Sequence, residues 1–508
     1  MFASREGVLS APIGARLKVV MLVDNPCVND SRVIREAEAL AQAGHNVTVL
    51  ARRAAGLPIQ EIRNDVRYFR VASILDNWRP SQWRGALLAA HCRSAPFRSA
   101  WHRWAFSRAT AVSIGAGACG QPSLKRGSGT KTAPSNGSRQ STMARLVRFL
   151  KTKLSAPAKS AYQFAETSGA VARTKRILTA PKRRIKNIVA PLMVFEFVEI
   201  AMRRHLLRMR PDVIHAHDLT TLPTASHAAA KLGAKLVYDS HELEMHRNAK
   251  YSASVWKRRG AMEKEHIGRA DLVITVSESI ADHLRDAYSI APPIVVLNAP
   301  PLIEVRIEGV PSIRRELCLH ADIPLAIYVG SVTINRGIEF CIRALAHYPE
   351  LHFAALGPRN KALEVQLLDI AEKEGVTDRF HLVDPVSPDA VTAFVRDADV
   401  SVLPIQNVCL SYYYCMPNKL FESVIGGLPV AVADLFELRR FVERFGCGVV
   451  MDETDPIDIA RAIRAVVERR GSYILEGANL DTVRRDFSWD AQAFKLVEAY
   501  RKFELAKV

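Results

Sequence analysis

The sequence predicts two doubly wound α/β domains in tandem, and three observations carry that prediction. Its 508 residues exceed one ordinary core and suit two domains of roughly 150–250 residues each. Short continuous apolar runs, as expected of strands buried on both faces of a parallel sheet, alternate with helical patterns over most of the chain. A composition that is 48% apolar and 24% charged is that of a globular protein and argues against a fibrous repeat or global disorder.

The first unit is β-α-β over residues 17–52. Leu17–Val23 reads as a buried strand, and a helix over 31–43 follows, with Val33, Ala37 and Leu40 on one face and Asp30 or Ser31 as N-cap. Gly44 closes it; Asn46–Leu50 and Val66–Val71 read as the next strands, joined by a short loop. From about 74 to 190 there is little strand signal. Order resumes with an apolar helix, Met193–Leu207, then strand Asp212–His215, helix 220–231, strand Lys235–Tyr238, helix 256–268, strand Leu272–Thr275, helix 278–288 and strand Ile294–Leu297. Ala299, Pro300 and Pro301 look like an interdomain linker, because consecutive prolines stiffen a chain outside any core. A second α/β run starts at 311, with strands expected at 324–329, 351–356, 379–383, 399–403, 429–432 and 447–450, and amphipathic helices at 455–469 and 488–503. The chain thus divides into 1–300, 301–485 and a terminal helix within 486–508 that can cross back to the first domain. Two such domains put the carboxyl ends of both sheets around a shared cleft, where such sheets bind ligands.

Formal net charge is +18, and it is localised. Residues 91–190 hold 20 Lys/Arg against one acidic residue, Glu166, so this window carries +19 and the remainder about −1. Any anionic partner is expected there. Residues 113–142 are rich in Ser, Gly, Thr and Pro, a composition without a core of its own. Met143–Leu154 puts Leu146, Phe149 and Leu150 on one side among basic residues, which suits an anionic membrane surface. Trp101, Trp104 and Phe106 also interleave with basic residues, but no recognisable nucleic-acid fold surrounds them, so nucleic acid is not expected as a partner. A solvated, disordered insertion is the other reading of this segment. The cysteines at 27, 92, 119, 318, 341, 409, 415 and 447 show no CxxC or Cys/His zinc spacing, which points to reduced thiols in a cytoplasmic protein. Leu17–Val23 contains Lys18 and lacks a signal-peptide layout, and Ile188–Met202 is interrupted by Glu196 and Glu199 and too short to span a bilayer.

The most informative stretch is YYYCMPNKLFESVIGGLPVAV, Tyr412–Val432. Pro417 suits the first turn of a helix running to Gly426 and Gly427, and LPVAV is the next buried strand. The helix N-terminus offers unpaired backbone N–H groups beside Lys419, which suits a diphosphate. Glu422 lies one turn in, on the face of Asn418, where a carboxylate can accept hydrogen bonds from two ribose hydroxyls. Spacing alone equally allows a capped core helix with an incidental acidic residue.

PNKLFE followed by GGLPV resembles the donor-site signature of the retaining family 4 glycosyltransferases, in a sub-branch with a PNKLFE-type motif. DSRVIREAEALAQAGHNVTVL (30–50), DVIHAHDLTTLP (212–223), KLVYDSHELEM (235–245), ADLVITVSESIADHL (270–284) and YVGSVTINRGIEFCIRAL (328–345) resemble family segments in the same order. The likeness covers about 17–73 and 192–505. It implies the GT-B fold, two Rossmann-like domains facing a central cleft, here with a basic low-complexity insertion in the first. It further implies a nucleotide-diphosphate sugar donor in the C-terminal domain, a glycan or lipid-linked acceptor in the N-terminal one, and transfer with retention and without a metal cofactor. One departure is visible. Many members carry two glutamates separated by seven residues; the second matches Glu422, but Tyr414 stands at the first.

The resemblance places Arg336, in Asn335-Arg336-Gly337, beside the donor diphosphate, with Lys419 as a second cation that stabilises charge on the leaving group. Gly330 and Ser331 form the donor turn, Ser331 standing where the family has a basic residue, and Asn418, Leu420 and Glu422 complete the donor site. His217 is expected to contact the transferred sugar near the reaction centre. His241 and Glu242, at a strand end, and Asp30 and Arg32, after the first strand, are the acceptor-side candidates, although Asp30 also reads as a helix cap. The run His215-Ala216-His217-Asp218 suggests a metal at first sight. His215 and His217 are expected to project from opposite faces of their strand, however, and no further ligand spacing follows, so no metal is expected. A sugar-nucleotide epimerase of the same fold and a non-catalytic membrane-associated scaffold are the competing function classes. The order of motifs and the PNKLFE helix favour the transferase over the epimerase, and the intact set Arg336, Lys419 and Glu422 favours it over the scaffold. The cysteines and the basic segment lead to the expectation of a cytoplasmic protein, peripheral on the cytoplasmic face of a membrane.

Overall fold

The computed structural model describes residues 15–72, 201–302, 311–387 and 390–505. The basic insertion, including Trp101, Trp104, Phe106 and the 143–154 stretch, lies outside the described residues. So does most of the helix expected at 193–207, of which 201–209 is seen.

The first domain is built on β1 (Lys18–Leu22), β2 (Asn46–Arg52), β3 (Gln60–Arg63), β4 (Val66–Val71), β5 (Val213–His217), β6 (Lys235–Ser240), β7 (Leu272–Thr275) and β8 (Ile294–Val295). They form one sheet in the order β3-β4-β2-β1-β5-β6-β7-β8, parallel except for the β3–β4 pair. Continuous apolar runs are explained by burial from both sides: Val19, Val20, Met21 and Leu22 are wholly inaccessible. β3 was expected to be loop. Its sequence, QEIR, is short and charged, and it survives as an edge strand because only one of its edges pairs.

The second sheet contains β9 (Leu325–Val329), β10 (His352–Leu356), β11 (Phe380–Val383), β12 (Val400–Leu403), β13 (Val430–Ala433) and β14 (Gly448–Met451). Its order, β11-β10-β9-β12-β13-β14, is the doubly wound 3-2-1-4-5-6 arrangement, all parallel. The chain reverses direction across the sheet between β9 and β12, so a crevice opens at their carboxyl ends, where Gly330 and Pro404 lie. The same reversal in the first sheet falls between β1 and β5, at Val23 and His217.

The two domains share an apolar seam. Ala281, Val295, Leu297 and Ala299 of the first pack in one cluster with Leu403, Leu420, Phe421 and Phe441 of the second. Ala299 and Pro300 are buried, contrary to the expectation of a linker outside any core, because the Pro300 carbonyl accepts a hydrogen bond from the Trp489 N–H at 2.7 Å. From Trp489 a helix runs to Leu505 and lays Leu496, Val497, Tyr500 and Phe503 against Val33, Ala37 and Leu40 of the first helix, Ser31–Gln42.

Candidate active site

Two strand ends and one helix assemble the first-domain half of the site. In the register of β5 and β6, His217 stands beside Asp239, and both are fully buried. The helix Ser31–Gln42, whose N–H at Val33 is capped by Asp30 Oδ1 at 3.3 Å, carries Arg32 and Glu36 inward at i and i+4. Arg32 Nε and Nη2 donate to the two oxygens of Asp239 at 2.8 and 2.7 Å, and Nη1 donates to the Val296 carbonyl at 2.7 Å. Arg32 is only 4% exposed. It was expected to offer its guanidinium to acceptor hydroxyls; instead it is spent on a buried bidentate ion pair, the geometry that best offsets desolvation of both charges.

That pair sets the titration of its neighbours. Burial alone would raise the Asp239 pKa, but Arg32 and then His241 hold it well below the usual carboxylate range. Burial and the charge of Asp239 push Glu36 upward, toward the neutral form. His241 sits between two carboxylates, Nε2 at 3.0 Å from Asp239 Oδ2 and Nδ1 at 3.5 Å from Asp218 Oδ1. Burial opposes its charge, yet Asp218 and Asp239 push it up to about 9, so the ring is an imidazolium at neutral pH. Asp218 holds a left-handed backbone, φ 62°, a strain that non-glycine residues adopt where surrounding structure imposes it.

The expectation that His215 and His217 face opposite ways is corrected. Successive strand residues alternate, so residues two apart share a face, and the two rings stack at 4.4 Å between centroids. His215 Nδ1 lies 2.9 Å from the Tyr500 hydroxyl, and His217 Nδ1 lies 3.2 Å from Asp239 Oδ2. His217 is therefore enclosed, packed edge-on to His241, and has no accessible surface to offer a sugar in this conformation. Among the described residues, Glu36, His215, His217 and Asp239 bring one potential ligand atom each within 4.8 Å of one another. The distances suit a cation, and the fixed cation there is the Arg32 guanidinium.

The second-domain half surrounds the β9–β12 crevice. Gly330 has φ 145° and lies against Tyr328, whose hydroxyl donates to the Ser331 carbonyl at 2.9 Å and braces the turn. Gly337 has φ 71°; a Cβ there would stand 2.1 Å from the Pro404 carbonyl oxygen, so the turn after β9 can press onto the end of β12 only without a side chain. Between them Arg336 is half-buried, with its guanidinium over the Tyr412 ring at 5.2 Å. The helix Asn418–Ile425 begins one residue later than expected, with Pro417 extended at ψ 139° just before it. Glu422 accepts from Lys419 Nζ at 2.8 Å and from Asn418 Nδ2 at 3.4 Å. Lys419, expected on the diphosphate, is thus paired. Leu420, expected at the donor, has no exposed surface and belongs to the seam core, because the apolar face of this short helix must be buried against β12 and β13.

The two halves meet in a cavity of ≈ 650 Å³, lined by Asn25, Asn29, Asp30, Arg32, His241 and Asn298 from one side and by Cys415, Met416, Pro417 and Asn418 from the other. Four amide side chains with a carboxylate and an imidazolium make a wall of hydrogen-bonding groups suited to a polyhydroxyl ligand. Asp30, Arg32, His241 and Asn418 were singled out from sequence; Asn25 and Asn298 were not, since a lone asparagine in a loop carries no pattern. Glu242 does not line this cavity and pairs instead with Arg247 Nη2 at 2.8 Å.

Residues 160–299 match the family model described as Glycosyltransferase Family 4, and residues 323–469 match the one described as Glycosyl transferases group 1. A D-inositol 3-phosphate glycosyltransferase of Salinispora tropica is 24% identical over 350 residues, covering 64% of this chain and 71% of that protein. One from Thermobispora bispora is 27% identical over 347 residues, covering 64% and 79%. Among solved structures, sucrose-phosphate synthase from Thermosynechococcus elongatus superposes with a TM-score of 0.62 at 16% identity, over 97% of this chain and 100% of that one. The Anabaena protein HepE, in complex with UDP and glucose, gives 0.57 at 11% identity over 96% and 100%. At such identities these structures speak to the fold, which is GT-B.

Proposed function

We propose that this chain, a glycosyltransferase of the GT-B fold, moves a sugar with retention from a nucleotide-diphosphate sugar on the second domain to a hydroxyl of a glycan or lipid-linked acceptor on the first. The observation that carries this reading is Arg336: a half-buried guanidinium at the β9–β12 crevice with no carboxylate partner among the described residues. An unneutralised cation beside a glycine turn is a site for the charge that builds on a departing diphosphate. Backbone N–H groups at the start of the helix Asn418–Ile425 add to it, and Glu422 takes the ribose hydroxyls. HepE is a protein of this fold seen with UDP, which supports the same donor class.

The carboxylates near the cavity favour a mechanism without a protein nucleophile. Asp239 is spent on Arg32, Asp218 faces His241, Glu242 pairs with Arg247, Asp30 holds its helix N-terminus and Asn25 Nδ2, and Glu422, paired with Lys419, is assigned to the ribose. In the reading favoured here the leaving phosphate oxygen itself accepts the proton of the attacking hydroxyl, and acceptor and leaving group share one face of the sugar. The amides and His241 hold the acceptor; Arg336 holds the diphosphate without a divalent cation.

Titration calorimetry with UDP, GDP and ADP, followed by turnover with the matching sugar nucleotides, tests this. Glu422→Ala is expected to lower kcat/KM for donor by about ten- to a hundredfold, as loss of charged hydrogen bonds worth ~1.5–3 kcal/mol requires. Turnover should persist in EDTA. Unchanged donor kinetics in the variant, or activity abolished by EDTA and restored by magnesium or manganese, would count against the assignment.

We place the acceptor at an anionic membrane surface on the cytoplasmic face, an idea supported by the charge of residues 91–190. No described helix is long and apolar enough to cross a membrane. At about 1 kcal/mol per basic residue near a PS-rich surface, a quarter of the 20 cations would suffice for reversible attachment. Deleting 91–186 is expected to abolish sedimentation with PS-rich liposomes at low salt while leaving nucleotide binding intact. Equal sedimentation of the deletion variant and the full chain would remove the idea.

A further inference from the structure

The half-buried and buried arginines of this protein mostly face carboxylates: Arg32 faces Asp239, Arg247 faces Glu242, Arg314 faces Asp399, and Arg359 faces both Glu364 and Asp384. Arg336 differs. Its partner is the face of the Tyr412 ring, 5.2 Å from guanidinium carbon to centroid. A carboxylate would hold an arginine in place but cancel its charge. An aromatic face holds the planar group from one side and leaves its N–H donors free at the edge.

Tyr412 is itself held. It lies in a single-turn helix, Leu410–Tyr413, on the segment that follows β12 and leads to Asn418. The first domain grips that segment twice: Ser277 Oγ donates to the Tyr414 carbonyl at 2.7 Å, and the Leu243 N–H donates to Ser411 Oγ at 3.2 Å. The ring that supports Arg336 therefore sits on a strap fixed by the opposite domain. The nearby Tyr328 hydroxyl is committed to the Ser331 carbonyl.

We propose that Tyr412 is a positioning residue for the donor, its ring holding the Arg336 guanidinium toward the diphosphate with the charge unspent. This rests on the reading that the second domain binds a nucleoside diphosphate. It assigns a role to the tyrosine-rich segment that the glutamate pattern, broken at Tyr414, leaves without one.

The test compares affinities for UDP, GDP or ADP, whichever the unmodified protein binds, with those for the matching nucleoside. Tyr412→Leu is expected to weaken the diphosphate by about five- to thirtyfold, the range of a cation–π contact, and to leave the nucleoside within twofold. Tyr412→Phe and Tyr412→Trp keep the ring and should stay within threefold of the parent. In an Arg336→Gln background, Tyr412→Leu should add nothing, because the group it positions is gone. If Tyr412→Leu does not fold, Tyr412→Met serves the same comparison. Failure has two distinguishable forms. Should Arg336→Gln leave diphosphate affinity unchanged, the site reading falls. Should Arg336→Gln weaken it while the leucine or methionine variant does not, or should nucleoside affinity drop in parallel, the role given to Tyr412 falls alone.

Discussion

Asp239→Asn is expected to destabilise the protein by about 3–5 kcal/mol once Glu36 is also replaced by glutamine, and by less alone. The single change removes the charge that neutralises Arg32, a guanidinium 4% exposed with both remaining contacts inside the core. Glu36 stands 3.1 Å from Arg32 and is kept toward its neutral form by burial and by Asp239. With Asp239 gone, Glu36 ionises and takes up part of the load; in the double variant nothing does. Urea unfolding of both should therefore show a loss larger than the sum of the two single changes. Additive losses would mean that the two carboxylates do not share Arg32.

Asp218 and Asp239 together give a pH signature. His241 is raised from 6.5 to about 9 in the folded state, so its contribution is fully present below the unfolded value and is lost as pH rises through about 9. A shift of this size corresponds to roughly 3 kcal/mol. The parent should lose stability between pH 7 and 10, and His241→Gln should lose less over that interval.

Gly357→Ala is expected to be the most damaging methyl addition at the second-domain crevice. Gly357 has φ 150° at the end of β10, and a Cβ would stand 1.9 Å from the Gly330 carbonyl oxygen and 2.7 Å from its carbon. Backbone cannot rotate aside as a flexible side chain would. The methyl must push apart the turns after β9 and β10, the first of which carries Gly330, the glycine proposed to face the donor. A loss of about 3 kcal/mol in stability is expected, together with at least tenfold weaker nucleoside-diphosphate binding. Gly375→Ala is the control. Its φ is 66° with nothing within 4 Å of the added carbon, so only the left-handed penalty of about 1 kcal/mol applies and donor binding is untouched. Equal effects of the two changes on nucleotide affinity would separate the Gly330 turn from the donor.

The strands were readable because parallel sheets need apolar runs, and β1, β9 and β13 have no polar residue interrupting theirs apart from Lys18 at the start of β1. β3 was not, because a four-residue edge strand with two charged residues has no apolar run to read. Burial of Arg32 also escaped a reading by position, since an arginine after the first strand of such a domain ordinarily faces the cleft. Its signal is long-range: a strand-end aspartate 207 residues away, brought into register with His217. The one-turn pairing of Arg32 with Glu36 was visible, but a surface ion pair has the same spacing. Cation–π support of Arg336 likewise depends on Tyr412, which is distant in sequence and ambiguous among three adjacent tyrosines.

The helix Trp489–Leu505 has a consequence for the order of events during synthesis. Val33, Ala37 and Leu40 leave the ribosome well before the side chains that cover them, Leu496, Val497, Tyr500 and Phe503. With roughly 450 residues between the two helices and translation at about 5–20 residues per second, the first helix waits on the order of 20–90 seconds for its cover. During that interval the nascent first domain shows an apolar stripe to solvent or to a chaperone, and His215 lacks the Tyr500 hydroxyl. Native assembly of the amino-terminal sheet thereby waits on residues 489–505, and a ribosome that stalls before Trp489 yields a two-sheet product with its first helix uncovered.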